Sequence, residues 1–147
     1  MKKTLSLAIT ALILGSSLFS AAQAQKVAVV DVQAVVAKSA QVQALKKEQQ
    51  TKMQELDKWL KTAQTDVQKQ QTNEGKEKLL KKYNNEFAKK KEAIAKEYQT
   101  KLKEIDKSIT GTIETQAKLK GYDMVVSKSV VVFGGDDITA EVQKAVK

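Results

Sequence analysis

The stretch EGKEKLLKKYNNEFAKKKEAIAKEYQTKLKEIDKSITGTIETQAKL, residues 74–119, decides the fold. Its apolar residues recur every three or four positions from Leu80 to Ile113, interrupted at Lys91, and this spacing places them on one face of an α-helix. Over most of the stripe the order is four, four, three, an eleven-residue period that favours a nearly straight helix over a heptad supercoil. We expect the helix to end at Lys120-Gly121, because glycine suits the left-handed residue that follows a helix.

A second amphipathic helix is predicted before this one, from about Ser39 to Gln71. The chain breaks between them at Thr72-Asn73-Glu74-Gly75, where Thr72 or Asn73 can cap the helix that follows. The core positions of the first helix recur at spacings of 3, 4 or 7, as in a heptad. They are Val42, Gln49, Met53, Leu56, Leu60, Ala63 and Val67.

The two helices fit together in one antiparallel register. If the turn is centred between Asn73 and Glu74, facing residues have numbers that sum to 147, and apolar then falls on apolar at five levels. The predicted pairs are Val67 with Leu80, Leu60 with Phe87, Met53 with Ile94, Leu45 with Leu102, and Val42 with Ile105. Stripes this narrow bury each other and little else, so we predict a hairpin of about 50 Å, from about 1.5 Å of rise per residue.

Short apolar runs flank the hairpin and predict a small β-rich body. Residues 26–32 form a β-branched run without alternation, typical of a strand buried on both faces. Residues 123–126 and 130–133 flank Ser127-Lys128-Ser129 and predict a β-hairpin, and a last helix is expected at residues 140–146. The predicted class is α+β, mostly α. Its body comprises residues 25–38 and 108–147, and its arm residues 39–107 with a tip near residues 71–75.

Three short strands need packing partners to be stable, and this body has too many valines to leave in water. Self-association through the strand end is therefore expected, although the residues alone do not fix the number of subunits. The predicted oligomer interface comprises Val27, Val29, Val30, Val125, Val126, Val130 and Val132.

Composition argues against an enzyme and against a metal protein. The chain has no His and no Cys, which excludes His- or Cys-based metal sites, disulfides and a Cys or His nucleophile–base pair. Ser127-Lys128-Ser129 is typical of a turn rather than of a Ser–Lys dyad, and no phosphate-binding glycine loop occurs. We therefore predict neither catalysis nor a cofactor.

The first 24 residues have the pattern of a secretory signal peptide. Met1-Lys2-Lys3 is basic, Leu5 to Phe19 is apolar, and Ala22-Gln23-Ala24 matches the small-x-small site of a signal peptidase. The apolar run is shorter than the roughly 20 residues that a membrane-spanning helix needs. Cleavage after Ala24 and export are predicted.

The positive charge is concentrated on the predicted arm. Residues 38–72 carry 7 Lys and 4 acidic residues, and residues 73–107 carry 11 Lys and 7, whereas residues 25–37 and 108–147 are each neutral. When Lys38, which directly precedes residues 39–107, is counted with the arm, the arm therefore carries the whole +7 of residues 25–147. Pairs at i,i+4, namely Glu77–Lys81, Glu92–Lys96 and Glu97–Lys101, account for part of the lysine content but not for the surplus.

Three segments of the sequence resemble the Skp/OmpH family of periplasmic chaperones. The similarity lies in Val30-Asp31-Val32-Gln33-Ala34-Val35 near the start, and in Gly121-Tyr122-Asp123-Met124-Val125-Val126 and Asp137-Ile138-Thr139-Ala140-Glu141-Val142 near the end. The resemblance implies a homotrimer whose three arms enclose a cavity. It also implies a periplasmic holdase that binds unfolded outer-membrane β-barrel proteins without ATP and passes them on for membrane insertion.

In the predicted register Phe87 lies in the seam and Trp59 on its flank, so Trp59 is the best single candidate for a client contact. The candidate client-binding residues are Trp59, Lys58, Lys61, Lys81, Lys82, Lys89 and Lys90. Whether the lysines also contact anionic lipid or lipopolysaccharide stays open at this stage.

Two other functions are compatible with parts of the sequence. A structural coiled-coil spacer or envelope tether would explain the helices but not the neutral body with basic arms. A nucleic-acid-binding protein would explain the pI of about 9.6. All 26 basic residues are Lys, however, and Arg is the side chain that makes bidentate contacts to bases and phosphates.

Overall fold

The computed structural model describes residues 25–147, so the predicted signal peptide, residues 1–24, lies outside the described residues. The mostly helical α+β class is confirmed: two long helices form an arm, and short strands and helices form a body. In chain order the elements are β1 (Val27–Val30), α1 (Val32–Lys38), α2 (Ala40–Lys69), α3 (Asn73–Leu119), β2 (Met124–Ser127), a 3-10 turn (Lys128–Val130), β3 (Asp136–Asp137) and α4 (Thr139–Ala145).

The body contains a three-stranded parallel sheet in the order β2-β1-β3. The predicted hairpin of residues 123–126 with 130–133 is therefore wrong. After β2 the chain enters the 3-10 turn, and its second pairing with β1 is made by Asp136–Asp137. β1 is the central strand and is paired along both edges, with β2 on one side and β3 on the other.

Two glycines let the chain return to the far edge of β1. Gly134 and Gly135 have φ angles of +88° and +85°, a region that side chains with a Cβ avoid. A Cβ on Gly135 would lie 2.5 Å from Cγ2 of Val29, so the loop passes directly over that side chain.

Asp31 ends the first strand two residues earlier than predicted. Its carboxylate accepts a hydrogen bond from the Ala34 backbone N–H at 2.9 Å, which caps α1, and its own N–H donates to Oγ1 of Thr139 at 2.9 Å. The expected strand through Val32 is therefore wrong at its end, because a capping aspartate satisfies the first turn of a helix.

The core of the protein lies in the body. It joins β1, α1, α4 and the base of α3 through seven buried residues, namely Ala28, Val30, Val35, Ile109, Ala117, Ile138 and Val142. Val29 is also buried, under the glycine loop. Val29 and Val30, predicted to face another subunit, are thus covered within their own chain.

The helix bounds of the arm agree with the prediction. Thr72 caps α3 by accepting a hydrogen bond from the Gly75 N–H at 3.1 Å, and Gly121 follows the helix with a φ of +73°. Ser39, which is fully buried, caps α2 by accepting from the Val42 N–H, and its hydroxyl donates to the Lys147 carbonyl at 2.8 Å. The bond to Lys147 connects the base of the arm to the segment that follows α4.

Polar links between α2 and α3 differ from the predicted register by two residues. Lys52 bonds to Glu97, Glu48 to Lys101 and Asp66 to Tyr83, so the partner numbers sum to 149 rather than 147. Leu60, Val67, Leu80 and Phe87 nevertheless line one common cavity, as the predicted pairing of these apolar residues requires.

Candidate binding surface on the helical arm

The arm leaves much of its apolar surface in contact with water. In α3 the buried residues are Ile109 and Ala117, both at the body end. Farther along the arm Leu80 is 49% exposed and Leu102 43%, and Met53 of α2, predicted for the seam, is 47% exposed. The seam buries Leu45, Leu56 and Ala63 of α2 but leaves these other side chains half-exposed, so the arm can offer modest apolar contacts to a partner.

Aromatic residues form a cluster in the distal half of the arm. The Trp59 ring stacks on Phe87, with centroids 6.3 Å apart and planes 6° apart, and meets Tyr83 edge-on at 5.6 Å. The Tyr83 hydroxyl donates to the Asp66 carboxylate at 2.7 Å, which raises the pKa of Tyr83. Trp59 therefore packs against two rings of the other helix and is half-buried rather than free on the flank.

Lysine side chains lie over all three rings. Lys90 Nζ is 5.3 Å from the Trp59 ring centroid, Lys82 Nζ is 5.8 Å from that of Tyr83, and Lys91 Nζ is 5.5 Å from that of Phe87. At these distances the ring faces attract the ammonium groups. The three rings and the three lysines over them thus form a surface that is both aromatic and cationic.

The other predicted client-binding lysines are exposed on the arm. In the part of the chain that the structure describes, these four contact no aromatic ring: Lys58, Lys61, Lys81 and Lys89. Lys91 was not predicted as a site residue, because it occupies a position in the apolar stripe, which indicates packing between the two helices. Its position four residues after Phe87 is the sequence signal for the contact.

Two cavities meet at Trp59. One, of about 420 Å³, lies between the helices toward the tip and is lined mainly by Trp59, Leu60, Val67, Leu80 and Phe87. The other, of about 250 Å³, lies on the body side of the indole. It is lined by Lys52, Glu55, Leu56, Trp59, Lys90, Ala93, Ile94 and Glu97. The indole is the wall that both cavities share.

Four charged side chains cross-link the middle of the arm. Lys101 bonds to Glu48 at 2.6 Å and to Glu97 at 3.1 Å, while Lys52 lies 3.2 Å from Glu48 and also bonds to Glu97. Hydrogen bonds from Lys52 and Lys101 hold the pKa of Glu97 at about 2, and the same lysines lower the pKa of Glu48. Of the three predicted i,i+4 pairs, Glu97–Lys101 forms within residues 25–147.

A second apolar surface lies on the body. A groove of about 490 Å³ runs between β2 and the base of α3 and is lined by residues that include Val30, Val125 and Val126. Val130 is largely exposed, and Val132 and Phe133 are fully exposed. Among the predicted interface residues, Val27, Val125 and Val126 are half-buried and Val130 and Val132 are exposed, so these five are open to a partner.

Neither long helix of residues 25–147 contains a segment apolar enough to cross a bilayer. The same residues contain no group of three or more carboxylates placed to hold a metal ion.

Residues 26–146 match the family described as outer membrane protein (OmpH-like). The match spans the body and the arm. Among curated proteins, none has significant sequence similarity to this chain.

Proposed function

The chain belongs to the OmpH-like family, and from that premise we propose that it is a holdase chaperone for unfolded outer-membrane proteins. It would bind them without ATP and keep them soluble until they insert into the membrane. The observation that carries this proposal is the arm itself, where half-exposed apolar side chains lie beneath a surplus of lysines.

Long-range attraction would come first in client binding. Residues 38–107 carry the whole +7 of residues 25–147, so the arm attracts acidic chains while the neutral body does not. Charge on the walls of a partly enclosed space raises the local concentration of an oppositely charged client and speeds its capture.

Retention would then depend on many weak contacts. The half-exposed leucines, the aromatic cluster and the apolar stems of lysine side chains can each contact a client segment. Unfolded β-barrel proteins alternate apolar and polar residues, so a surface that mixes both kinds of group suits them better than a deep apolar groove.

We propose that three copies assemble through the body. The exposed Val130, Val132 and Phe133 and the groove beside β2 support an interface there, and the number three follows from the family resemblance. A trimer would place three arms around one space with a charge of +21, three times the +7 of one chain.

The proposed location is the periplasm, reached by cleavage after Ala24. Mass spectrometry of protein from a periplasmic extract should find Gln25 as the N-terminal residue. Intact Met1 in a cytosolic fraction would contradict export.

The decisive experiment reverses four arm lysines. Lys81, Lys82, Lys89 and Lys90 are exposed, and changing all four to Glu takes the arm from +7 to −1. We expect the variant to stay folded by circular dichroism and to sediment like the parent. It should nevertheless fail to keep a urea-unfolded, acidic β-barrel protein soluble after dilution.

A matched control places the same charge change on the body. Replacing Lys26, Lys118, Lys144 and Lys147 by Glu also brings the chain to −1 but leaves the arm at +7, so holding should persist. Capture by the parent should slow as salt rises above about 0.15 M, where the screening length is roughly 8 Å. Parent protein that binds no unfolded client at low salt would instead indicate a spacer or tether.

A further inference from the structure

We propose that the two cavities beside Trp59 form one binding site for an extended peptide segment with an aromatic residue and a carboxylate two positions apart. The aromatic side chain would occupy the larger cavity and the carboxylate would bind Lys90. This inference rests on the proposed chaperone function and names the client feature that the distal arm selects.

The larger cavity has the size and lining for an aromatic guest. Its volume of about 420 Å³ lies within the range of about 300–1,000 Å³ typical of pockets for small organic groups. Its apolar walls include Leu60, Val67, Leu80 and the rings of Trp59 and Phe87. Gln64, Gln68 and Asn84 also line it. Rings prefer offset or edge-on contacts with other rings at 4.5–7 Å, and a guest beside Trp59 could adopt either.

The smaller cavity supplies the positive charge. Lys90 lines it, and its Nζ lies 5.3 Å from the Trp59 ring centroid. Within residues 25–147, Lys90 forms no ion pair with a carboxylate of its own chain. An ammonium group binds a carboxylate, through charge-assisted hydrogen bonds, more strongly than it binds the face of an aromatic ring. An acidic client residue should therefore draw the Lys90 ammonium group away from the indole.

The alternation of side chains in an extended client selects the spacing of the two residues. In an extended chain residues i and i+2 point to the same side and are about 6.8 Å apart, whereas i and i+1 point to opposite sides. The indole of Trp59 is the wall shared by the aromatic pocket and the cavity that Lys90 lines. A client strand that crosses Trp59 therefore presents both groups to the site when they are two positions apart and not when they are adjacent.

Glu55 also lines the smaller cavity and opposes a client carboxylate there. The other carboxylate of that cavity, Glu97, is already paired with Lys52 and Lys101. If the site is as proposed, Glu55→Gln should tighten binding of the acidic peptide by a few fold and leave binding of a neutral one unchanged.

Synthetic peptides can test the site on the full chain. The probes are twelve-residue extended peptides of equal composition with Phe and Asp at i,i+2 or at i,i+1, and a third with Asn in place of Asp. Trp59 is the single tryptophan, so its emission reports binding directly, and calorimetry gives the dissociation constant. We expect the i,i+2 peptide to bind about tenfold more tightly than either of the others, which corresponds to about 1.4 kcal/mol.

Matched variants separate the site from general electrostatics. Lys90→Gln should weaken binding of the i,i+2 peptide about tenfold, whereas Lys96→Gln, with the same charge change on the same helix and no ring contact, should leave it within about twofold. Leu80→Ala should weaken binding, whereas Leu119→Ala, also exposed but at the body end of α3, should not.

Equal affinity for the two spacings, or equal loss in Lys96→Gln and Lys90→Gln, would overturn the inference. The same preparations are then given an unfolded β-barrel protein. If the parent keeps it soluble, the chaperone proposal stands and the site alone is wrong. If it does not, both fall.

Discussion

The body and the arm are built from the same kinds of residue but use them in opposite ways. In the body, four elements close around Val30, Val35 and Ile138, and the side chains of the core are almost fully removed from water. In the arm only two helices meet, and residues such as Leu80 and Leu102 stay close to half-exposed. Two layers of elements can enclose a core, whereas a pair of helices makes a seam. The comparison indicates that the body is a closely packed anchor and that the arm is a solvent-exposed candidate binding surface.

The largest expected difference between the two regions is in side-chain truncation. Ile138→Ala removes methyl groups from the closed core and should lower the free energy of unfolding by about 2–5 kcal/mol. Leu80→Ala, half-exposed on the arm, should lower it by less than about 1 kcal/mol, because most of its surface is already in water.

Urea unfolding followed by circular dichroism measures both values, and Trp59 emission reports the arm separately. Similar losses for the two variants would contradict the comparison, since they would mean that the arm is as tightly packed as the body.

Helix caps provide a second comparison with the same chemistry at both ends of the arm. Ser39 caps α2 where it joins the body and is fully buried, whereas Thr72 caps α3 at the exposed tip. Ser39→Ala also removes the donor to the Lys147 carbonyl, so we expect a loss of about 1–3 kcal/mol. Thr72→Ala should lose about 0.5–1 kcal/mol.

A larger loss at Thr72 than at Ser39 in the same urea titrations would contradict the view that the joint is the more tightly built end. Ser39→Thr, which keeps a hydroxyl, serves as the control for the buried cap.

Acid should loosen the arm before the body. The pKa of Glu97 is about 2 in the folded arm against an ordinary value of 4.5, so its contribution is complete above pH 4.5 and disappears as pH falls toward 2. The arm also gains charge in this range, because its 11 carboxylates lose theirs while its 18 lysines keep theirs. A hydrogen bond from Lys128 likewise lowers the pKa of Asp137 in the body, but the closed core there does not depend on it.

Pepsin, which is active in this pH range, can locate the loosening. Cuts mapped by mass spectrometry should appear in residues 40–107 at a higher pH than in residues 25–38 and 120–147. Glu97→Gln should already be more susceptible at pH 5 and should change less on acidification. First cuts in the body would contradict this order.

The helices of the arm could be predicted from sequence, whereas the strand pairing of the body could not. Leu80 to Ile113 recur with helical spacing, and Thr72 and Gly121 mark the ends, because these signals are local. The pairing of β1 with Asp136–Asp137 is non-local and joins an apolar strand to two aspartates, so no alternation announces it. Residues 130–133 looked like a strand because their apolar character, suited to an interface, resembles that of a buried strand.

The candidate site was predicted in its parts but not in its arrangement. Trp59 and the lysines are visible in the sequence, and the stripe placed Phe87 on the seam. The stacking of Trp59 on Phe87 depends on the rotation and register of two helices, which the apolar stripes alone do not fix.

The smallest expected effect tests whether the exposed face of α3 at the body end is open to water. Gly111 lies inside α3 near the body, and a Cβ added there would meet nothing within 4 Å of its own chain. Because glycine is less favourable than alanine inside a helix, Gly111→Ala should raise the free energy of unfolding by about 0.5–1 kcal/mol. Urea titrations at two protein concentrations tenfold apart measure this gain. If the variant is instead destabilised, and sediments as a smaller species than the parent at the lower concentration, that face of α3 is covered by another copy. The interface between copies would then include the face of α3 at Gly111.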